Sequence, residues 1–375
     1  MMIIRTFEAF AGYGSQLMAM RRLERMFPEC VKVIPIGISE IDKNAITAYQ
    51  AVHGDVCNYG DIRHIEWDKV PDFDLFTMSS PCQDFSNAGL QMGGEEGSGT
   101  RSSLLWECRK AILAKKPKYV IFENVKGLLS YKFRPFLIKW ANELQSYGYS
   151  NFIKVLNAID YGIPQNRERV FMVSILGYNK SYNFPKEFIL KKRLKDILEK
   201  DVDESYFLKE QALNNFIKHS NMDFYFKDDA SINMIGSYTP SCSCKSAVLS
   251  PNGVSITLLS SMHGTPPAVL VPLERELCEN EPSVMNKKTD GIYVESPRRL
   301  VYGSQLFYVR KLTERELFRL MDVDDSDIDK IQDSGVSRSG QQKISGNSIV
   351  VSCLYHIFRK LFVEPNNEDI QLKLF

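Results

Sequence analysis

Long apolar runs are missing from this chain of 375 residues. No stretch approaches the ~20 consecutive apolar residues that a bilayer-spanning helix needs, which excludes that class. Met1 to Arg5 lead straight into a strand-like segment and lack the layout of a secretory signal. A disulfide framework is missing too. The eight cysteines are scattered, and Cys242-Ser243-Cys244 has no second pair to complete a zinc site. A reducing cytoplasm and no metal are the expectation. Excess charge is absent: the net charge is +1, so any claim of nucleic-acid binding must come from motifs. Finally, the glycine turn near the amino end, Gly12-Tyr13-Gly14, lacks the third glycine of dinucleotide loops. A nucleoside cofactor without phosphates is therefore more plausible than NAD.

What is present is an ordinary globular composition, 44% hydrophobic and 25% charged. The length suits one large domain and one smaller. Ile3 to Phe7 reads as a strand, and Leu17, Met20 and Leu23 recur at helical spacing after the Phe10-Ala11-Gly12-Tyr13-Gly14 turn. Val31 to Ser39 reads as a second strand ending at Glu40. A carboxylate there can accept both hydroxyls of a ribose, or can simply be a helix N-terminal acid. Asp61, in Gly60-Asp61-Ile62, follows a short third segment. It suits an exocyclic amine such as adenine N6, or an ordinary turn.

Phe73 to Met78 reads as a buried parallel strand leading to Ser79-Ser80-Pro81-Cys82-Gln83-Asp84-Phe85-Ser86. Pro81 stiffens the turn that holds the thiol. A helix opening after Cys82 would favour the thiolate, the reactive form of cysteine. Gly89 to Thr100 reads as a loop of lid length. Arg101 to Lys115 reads as a helix with Leu104, Leu105 and Ile112 as candidate buried positions. Lys118 to Phe122 is a further strand, ending in Glu123. Glu40, Asp61, Cys82 and Glu123 thus each terminate a strand-like segment, the pattern of one cleft at the carboxyl edge of a sheet. Phe152 to Ile159 and Val170 to Leu176 form a hairpin-like pair around Gln165-Asn166-Arg167-Glu168-Arg169. Arg169 is either a surface charge or a source of paired donors for a carbonyl.

Phe10-Ala11-Gly12-Tyr13-Gly14, Pro81-Cys82-Gln83, Glu123-Asn124-Val125 and Gln165-x-Arg167-x-Arg169 stand in the order found in DNA (cytosine-5)-methyltransferases. Arg310-Lys311-Leu312-Thr313-x-Arg315-Glu316 and Gly346-Asn347-Ser348-Ile349 resemble two later segments of that family. Together these motifs cover roughly residues 1–178 and 308–360. The resemblance, closest in its opening to bacterial, phage and mollicute members, implies an α/β fold. A Rossmann-like S-adenosylmethionine-dependent sheet would be built from residues 1–178 plus 330–375. A smaller, mostly β or irregular target-recognition domain would be built from 179–329. Residues 180–305 carry 16 basic and 16 acidic residues and no catalytic motif. Thr257 there is either a contact near the DNA backbone or a strand threonine.

By resemblance, Cys82 is the nucleophile that adds to cytosine C6, Glu123 the acid at N3 and Arg169 the holder of O2, with Arg167 also counted among the catalytic residues. S-adenosylmethionine would be held by Phe10, Ala11, Gly12, Gly14, Glu40, Ile41, Asp61, Ile62, Pro81, Leu104, Asn347 and Ser348. Gln83, Ser86, Arg101, Gln165 and Thr257 would touch DNA. Double-stranded DNA is the expected partner, with a cognate restriction endonuclease acting separately. A monomer at the nucleoid of a bacterial host is expected. Thr313-x-x-Glu316 reads as a capping box opening a helix with Leu317, Leu320 and Met321 on one face. Gln332 to Ser345 reads as polar linker, with a helix starting at Asn347. Three rivals stand beside this reading: a tRNA cytosine-5 methyltransferase, a repressor built on an idle methylase, and a dehydrogenase. The sizeable variable interval weighs against the first, intact Cys82, Glu123 and Arg169 against the second, and the missing third glycine against the third.

Exchanging residues 180–305 for the same interval of a relative should transfer the methylated sequence while leaving the chemistry in place. Bisulfite sequencing of DNA from the expressing host reads the outcome. A folded, active chimera that kept the parent sequence would place specificity elsewhere.

Overall fold

A computed structural model describes residues 1–81, 101–241, 244–262, 264–276, 292–296 and 298–364. Cys82, Gln83, Ser86, the 86–100 loop and the tail after Glu364 lie outside the described residues.

Six strands form the first sheet: β1 (Met2–Ala9), β2 (Val31–Ser39), β3 (Leu75–Met78), β4 (Tyr119–Val125), β5 (Tyr149–Asn157) and β6 (Glu168–Leu176), in the order β2-β1-β3-β4-β6-β5. The first four run parallel, and β6 is antiparallel to both β4 and β5. All four residues of β3 are buried, as expected of a central parallel strand covered on both faces. Helices α1 (Ser15–Met26), α2 (Lys43–His53), α3 (Leu105–Lys115) and α4 (Arg134–Ser146) complete the layers. α1 buries Leu17, Met20 and Leu23, the spacing read from sequence. α2 starts at Asp42, whose carboxylate accepts from the amides of Asn44 and Ala45. The chain order reverses between β1 and β3, so the cleft lies where open α/β sheets bind ligands.

A second sheet has the order β10-β11-β12-β9-β8-β7. Its strands are β7 (Met234–Ser237), β8 (Ala247–Leu249), β9 (Ala268–Glu276), β10 (Tyr293–Ser296), β11 (Arg299–Tyr302) and β12 (Gln305–Lys311), antiparallel except for the β8–β9 pair. Helix α5 (Glu210–Lys218) packs Leu213 and Phe216 into the same small core as Val248, Leu270 and Phe307. After β12 come α6 (Glu314–Arg319), α7 (Asp325–Asp333), α8 (Arg338–Asn347) and α9 (Val351–Phe362).

The capping box forms as the sequence indicates. The Thr313 hydroxyl accepts from the Glu316 amide, the Glu316 carboxylate accepts from the Thr313 amide, and Leu317, Leu320 and Met321 are buried. From Leu312 onward the chain shares a core with α1 and α2, and Ala247 and Leu249 of β8 and Val269 of β9 reach into the same core. Arg22 of α1 donates to the Asp322 carbonyl at 2.8 Å and to Asp324 at 3.0 Å.

Four local expectations change. Residues 332–345 are not linker: α7 runs to Asp333, and α8 occupies 338–347. α8 is polar yet inward-facing, because Gln341 and Gln342 are buried by hydrogen bonds to the Val336 carbonyl and to Glu314. Its burial leaves no apolar period to read. Asn347 consequently ends a helix instead of starting one. Before Asp61 the chain makes only an isolated parallel bridge, Asn58 to Ile38, and Asp61 caps a single turn at Ile62–His64. Glu123 sits inside β4, which continues to Val125 because Arg169 pairs opposite it.

Arg310 on β12 and Glu316 on α6 form a buried pair, with bonds of 2.7 and 2.8 Å. Removing one partner strands a charge in the interior. Arg310→Met should cost about 3–5 kcal/mol in urea unfolding. Combining it with Glu316→Leu should recover part of the loss.

Candidate active site

The chemistry gathers at the carboxyl edge of β1, β3 and β4. Ser79 and Ser80 leave β3 beside Glu123 and Asn124 of β4. The Ser79 hydroxyl donates to Glu123 Oε2 at 2.6 Å. Asn124 Nδ2 donates to the Ser80 carbonyl at 3.1 Å and contacts its hydroxyl at 3.4 Å. Arg169 Nε stands 3.2 Å from Glu123 Oε1, and its Nη1 donates to the Glu168 carbonyl. Glu123 is 5% exposed. One carboxylate is thus held from two sides, by a hydroxyl and a guanidinium, next to the peptide that enters Pro81. Ser79 is the participant that motif reading passed over. Its place two residues before Pro81 was the only signal for it.

The glycine turn opens beside this group. Phe10 and Gly12 have φ of 57° and 59°, and Gly14, with φ 86°, precedes α1. A Cβ built on Gly12 would meet nothing within 4 Å, so that side of the turn faces open space. Glu40 closes the turn. Its Oε2 accepts from the Gly12 amide at 2.8 Å, and its Oε1 from the amides of Ile41 and Asp42 at 2.8 Å each. Asn58, carried by no motif, fixes Glu40 in turn. Its side chain accepts from the Glu40 amide and donates to the Glu40 carbonyl. The Asn58-x-Gly60 spacing, a turn signal, could have pointed to it. Ile41 leaves a large apolar side chain 65% exposed at this rim. Open space, two acidic oxygens with remaining lone pairs and an apolar shelf fit an uncharged ribose and a flat ring.

Asp61 is pulled down to a pKa of about 2, chiefly by the Arg63 side chain that bonds both of its oxygens. It stays ionised, and an adenine amine would share it with Arg63. Ile62 is buried, and Ala11 is 2% exposed, so both could meet a ligand only through backbone. Leu104 is half-buried at the head of α3, Arg101 opens the preceding turn, and Pro81 is half-buried.

Beneath the turn lies a buried polar group that carries no motif. His53 Nδ1 is 3.1 Å from Arg21 Nη1, and its Nε2 is 3.2 Å from the Gly14 carbonyl. Burial, aided by Arg21, lowers its pKa to about 3, so the ring is neutral. Arg21 can only donate and a carbonyl only accept, which places the proton on Nε2. Glu8 accepts from the Tyr49 hydroxyl at 3.0 Å, and burial raises its pKa to about 7.

The Gln165–Arg169 stretch divides its labour. Gln165 is 0% exposed. Its amide donates to the Leu320 carbonyl and accepts from the Leu258 amide. It is expected at DNA, but both of its ends are used internally and no surface remains. Arg167 is 3% exposed and donates to the carbonyls of Leu258, Gly346 and Ser348 at 2.7, 3.0 and 2.6 Å. That makes it a clasp between segments, where a catalytic contact is expected. Thr257 is in no strand, and its hydroxyl donates to the Asn166 carbonyl. Ser348 is half-buried and Asn347 exposed, and both lie at the clasp because Arg167 binds the carbonyls of Gly346 and Ser348 on either side of Asn347. A Cβ on Gly346 would lie 2.4 Å from the Leu259 carbonyl carbon, so only glycine fits there.

The profile of the C-5 cytosine-specific DNA methylase family matches residues 4–363. The chain belongs to that family. The methylase is 33% identical to the type II methyltransferase M2.ScrFI of Lactococcus lactis subsp. cremoris, across 96% of this chain and 99% of that protein. It is 29% identical to the orphan methyltransferase M.SPRI of Bacillus phage SPR, across 98% and 99%. Among solved structures it resembles Entamoeba histolytica methyltransferase EhMeth with a TM-score of 0.66 at 16% identity, covering 99% of both chains. The S. pombe Dnmt2 methyltransferase follows with 0.62 at 18%, covering 95% and 97%. These structural likenesses concern the fold. Membership makes the chain a DNA (cytosine-5-)-methyltransferase and implies S-adenosylmethionine as its methyl source. No helix among the described residues is long and apolar enough to cross a membrane.

Glu40 joins the glycine turn to the end of β2 and offers the oxygens suited to a ribose. Glu40→Ala in the methylase should weaken S-adenosylmethionine binding by roughly 1–3 kcal/mol. Calorimetry without DNA checks this. Unchanged affinity would remove Glu40 from the cofactor site.

Proposed function

We propose that this methylase modifies C5 of a cytosine flipped out of duplex DNA, through a covalent bond between Cys82 and C6. The observation that carries the proposal is the hydrogen-bonded joint of Ser79–Ser80 with Glu123–Asn124. It brings the segment entering Pro81-Cys82 against a buried carboxylate and Arg169.

Cytosine C5 is a weak nucleophile. Thiolate addition at C6 breaks the ring conjugation and makes C5 enamine-like. Electron density then builds at N3. Glu123 is placed to share or donate a proton there, a contribution of about 10²–10⁴ in rate. The Ser79 hydroxyl holds the second oxygen of that carboxylate and fixes its orientation. Arg169 offers further N–H groups to the cytosine O2, where charge also develops. The Phe10–Gly14 turn, Glu40 and Ile41 would hold S-adenosylmethionine, whose sulfonium S–CH3 bond would break to give C5 its methyl and leave S-adenosylhomocysteine. Loss of the C5 proton to a base, with expulsion of the Cys82 thiolate, restores the aromatic ring as 5-methylcytosine. Stacked within the duplex, C6 is out of reach, so the base must be extruded at a cost of a few kcal/mol. Arg167 acts through the clasp as a positioning residue, keeping β6 and therefore Arg169 in register.

Fluorine at C5 cannot leave as a cation. A duplex with 5-fluorocytosine at the methylated position, incubated with S-adenosylmethionine, should give a denaturation-resistant complex mapping to Cys82. Cys82→Ser should give none, and Glu123→Gln should trap slowly, with turnover reduced roughly 10²–10⁴-fold. A link mapped to another cysteine, or an equal adduct from Cys82→Ser, would overturn the mechanism.

A further inference from the structure

Directly after Glu123–Val125 the chain makes a short loop before α4, and its tip is Tyr131. This side chain is 99% exposed. The loop around it is stiff. Ser130 N donates to the Gly127 carbonyl at 3.0 Å, and the Ser130 carbonyl accepts from Phe133 N at 3.1 Å and Arg134 N at 2.8 Å. Leu128 and Phe133, on either side of the tip, are 0% and 6% exposed and sit in the core with Trp106. Pro135 stands in the first turn of α4. A tyrosine at a turn apex is not explained by turn chemistry, which favours Gly, Asn, Asp, Ser and Pro. Nor does it pack on its own chain.

Charge singles out the same stretch. Residues 126–142 contain Lys126, Lys132, Arg134 and Lys139 and no acid, in a chain of net charge +1. Lys126 binds Glu168 at 2.7 Å, which fixes the root of the loop beside Arg169. Tyr131 lies six positions after Val125, at most about 20 Å when fully extended. The tip therefore stands within reach of the strand flanking any base that enters at Glu123.

Resting on the proposed action on duplex DNA, we infer that Tyr131, with Lys132 and Arg134, forms a rigid DNA-contact surface at the rim of the active site. The cations meet backbone phosphates, and the ring lies against a sugar or a base exposed by the extrusion. Positive charge matches phosphate, and an exposed aromatic face suits an unstacked nucleotide. A tip already held in shape loses little entropy on contact.

The test is anisotropy titration of a fluorescein-labelled duplex carrying the methylated sequence, beside a scrambled duplex and tRNA. Tyr131→Ala should bind the cognate duplex about tenfold more weakly, with Tyr131→Phe close to wild type. Arg134→Ala should lower the slope of log K against log salt by about one. Unchanged calorimetric affinity for S-adenosylmethionine verifies that each variant is folded. Wild-type duplex affinity in Tyr131→Ala, or a loss confined to tRNA, would overturn the inference while leaving the methylation chemistry intact. A protein that methylated no DNA, yet lost duplex binding on Tyr131→Ala, would overturn the chemistry and leave the surface standing.

Discussion

The interaction on which the rest depends is the buried guanidinium of Arg167. Three carbonyls from distant parts of the chain converge on it: Leu258, Gly346 and Ser348. A carbonyl buried without a donor costs about 1–3 kcal/mol, so the three need this cation, and the cation needs them. Gln165 repeats the arrangement two residues earlier, tying Leu258 to Leu320. The Pro164–Asn166 backbone adds bonds to Ser255, and Thr257 returns one to Asn166. One short stretch therefore fastens the first sheet, the second unit and the last helices together. Arg169, at its end, faces Glu123.

That fastening has a mechanical consequence for the chemistry. β6 is antiparallel to β4, with Arg169 opposite Val125. A slip of one residue along this pair would turn Arg169 to the other face of the sheet. The clasp holds the chain immediately before β6, where such a slip would start. Glu123 is pinned from the other side by Ser79, so the acid and the guanidinium are set before any ligand arrives. Fixed donors aimed at developing charge need no rearrangement during reaction. The glycine turn is treated alike: Glu40 and Asn58 hold it from above, and neutral His53 with Arg21 holds it from below.

Much of this was legible in the sequence because it is local. Strand and helix periods gave β1, α1, β2 and the β5–β6 pair. Thr313 and Glu316 sit three residues apart and cap their helix as their chemistry requires. Ordered short motifs marked Glu40, Glu123 and Arg169, whose proposed tasks suit their places at the edge of the sheet. α8 escaped, because a helix buried through Gln341, Gln342 and Gly340 has no apolar stripe for periodicity to find.

The sequence by itself determined the fold class, the parallel strands of the first sheet and the identity of the residues at their carboxyl edge, since each follows from patterns a few residues long. Only the tertiary structure decided how Gln165, Arg167 and Arg169 are used. They lie at equal spacing, and all could donate hydrogen bonds to a ligand. Two of them face carbonyls and amides from residues 91 to 181 positions away, and one faces a carboxylate across a strand pair. Which partner a side chain meets depends on what the fold brings to it, and a desolvated carbonyl claims the nearest donor.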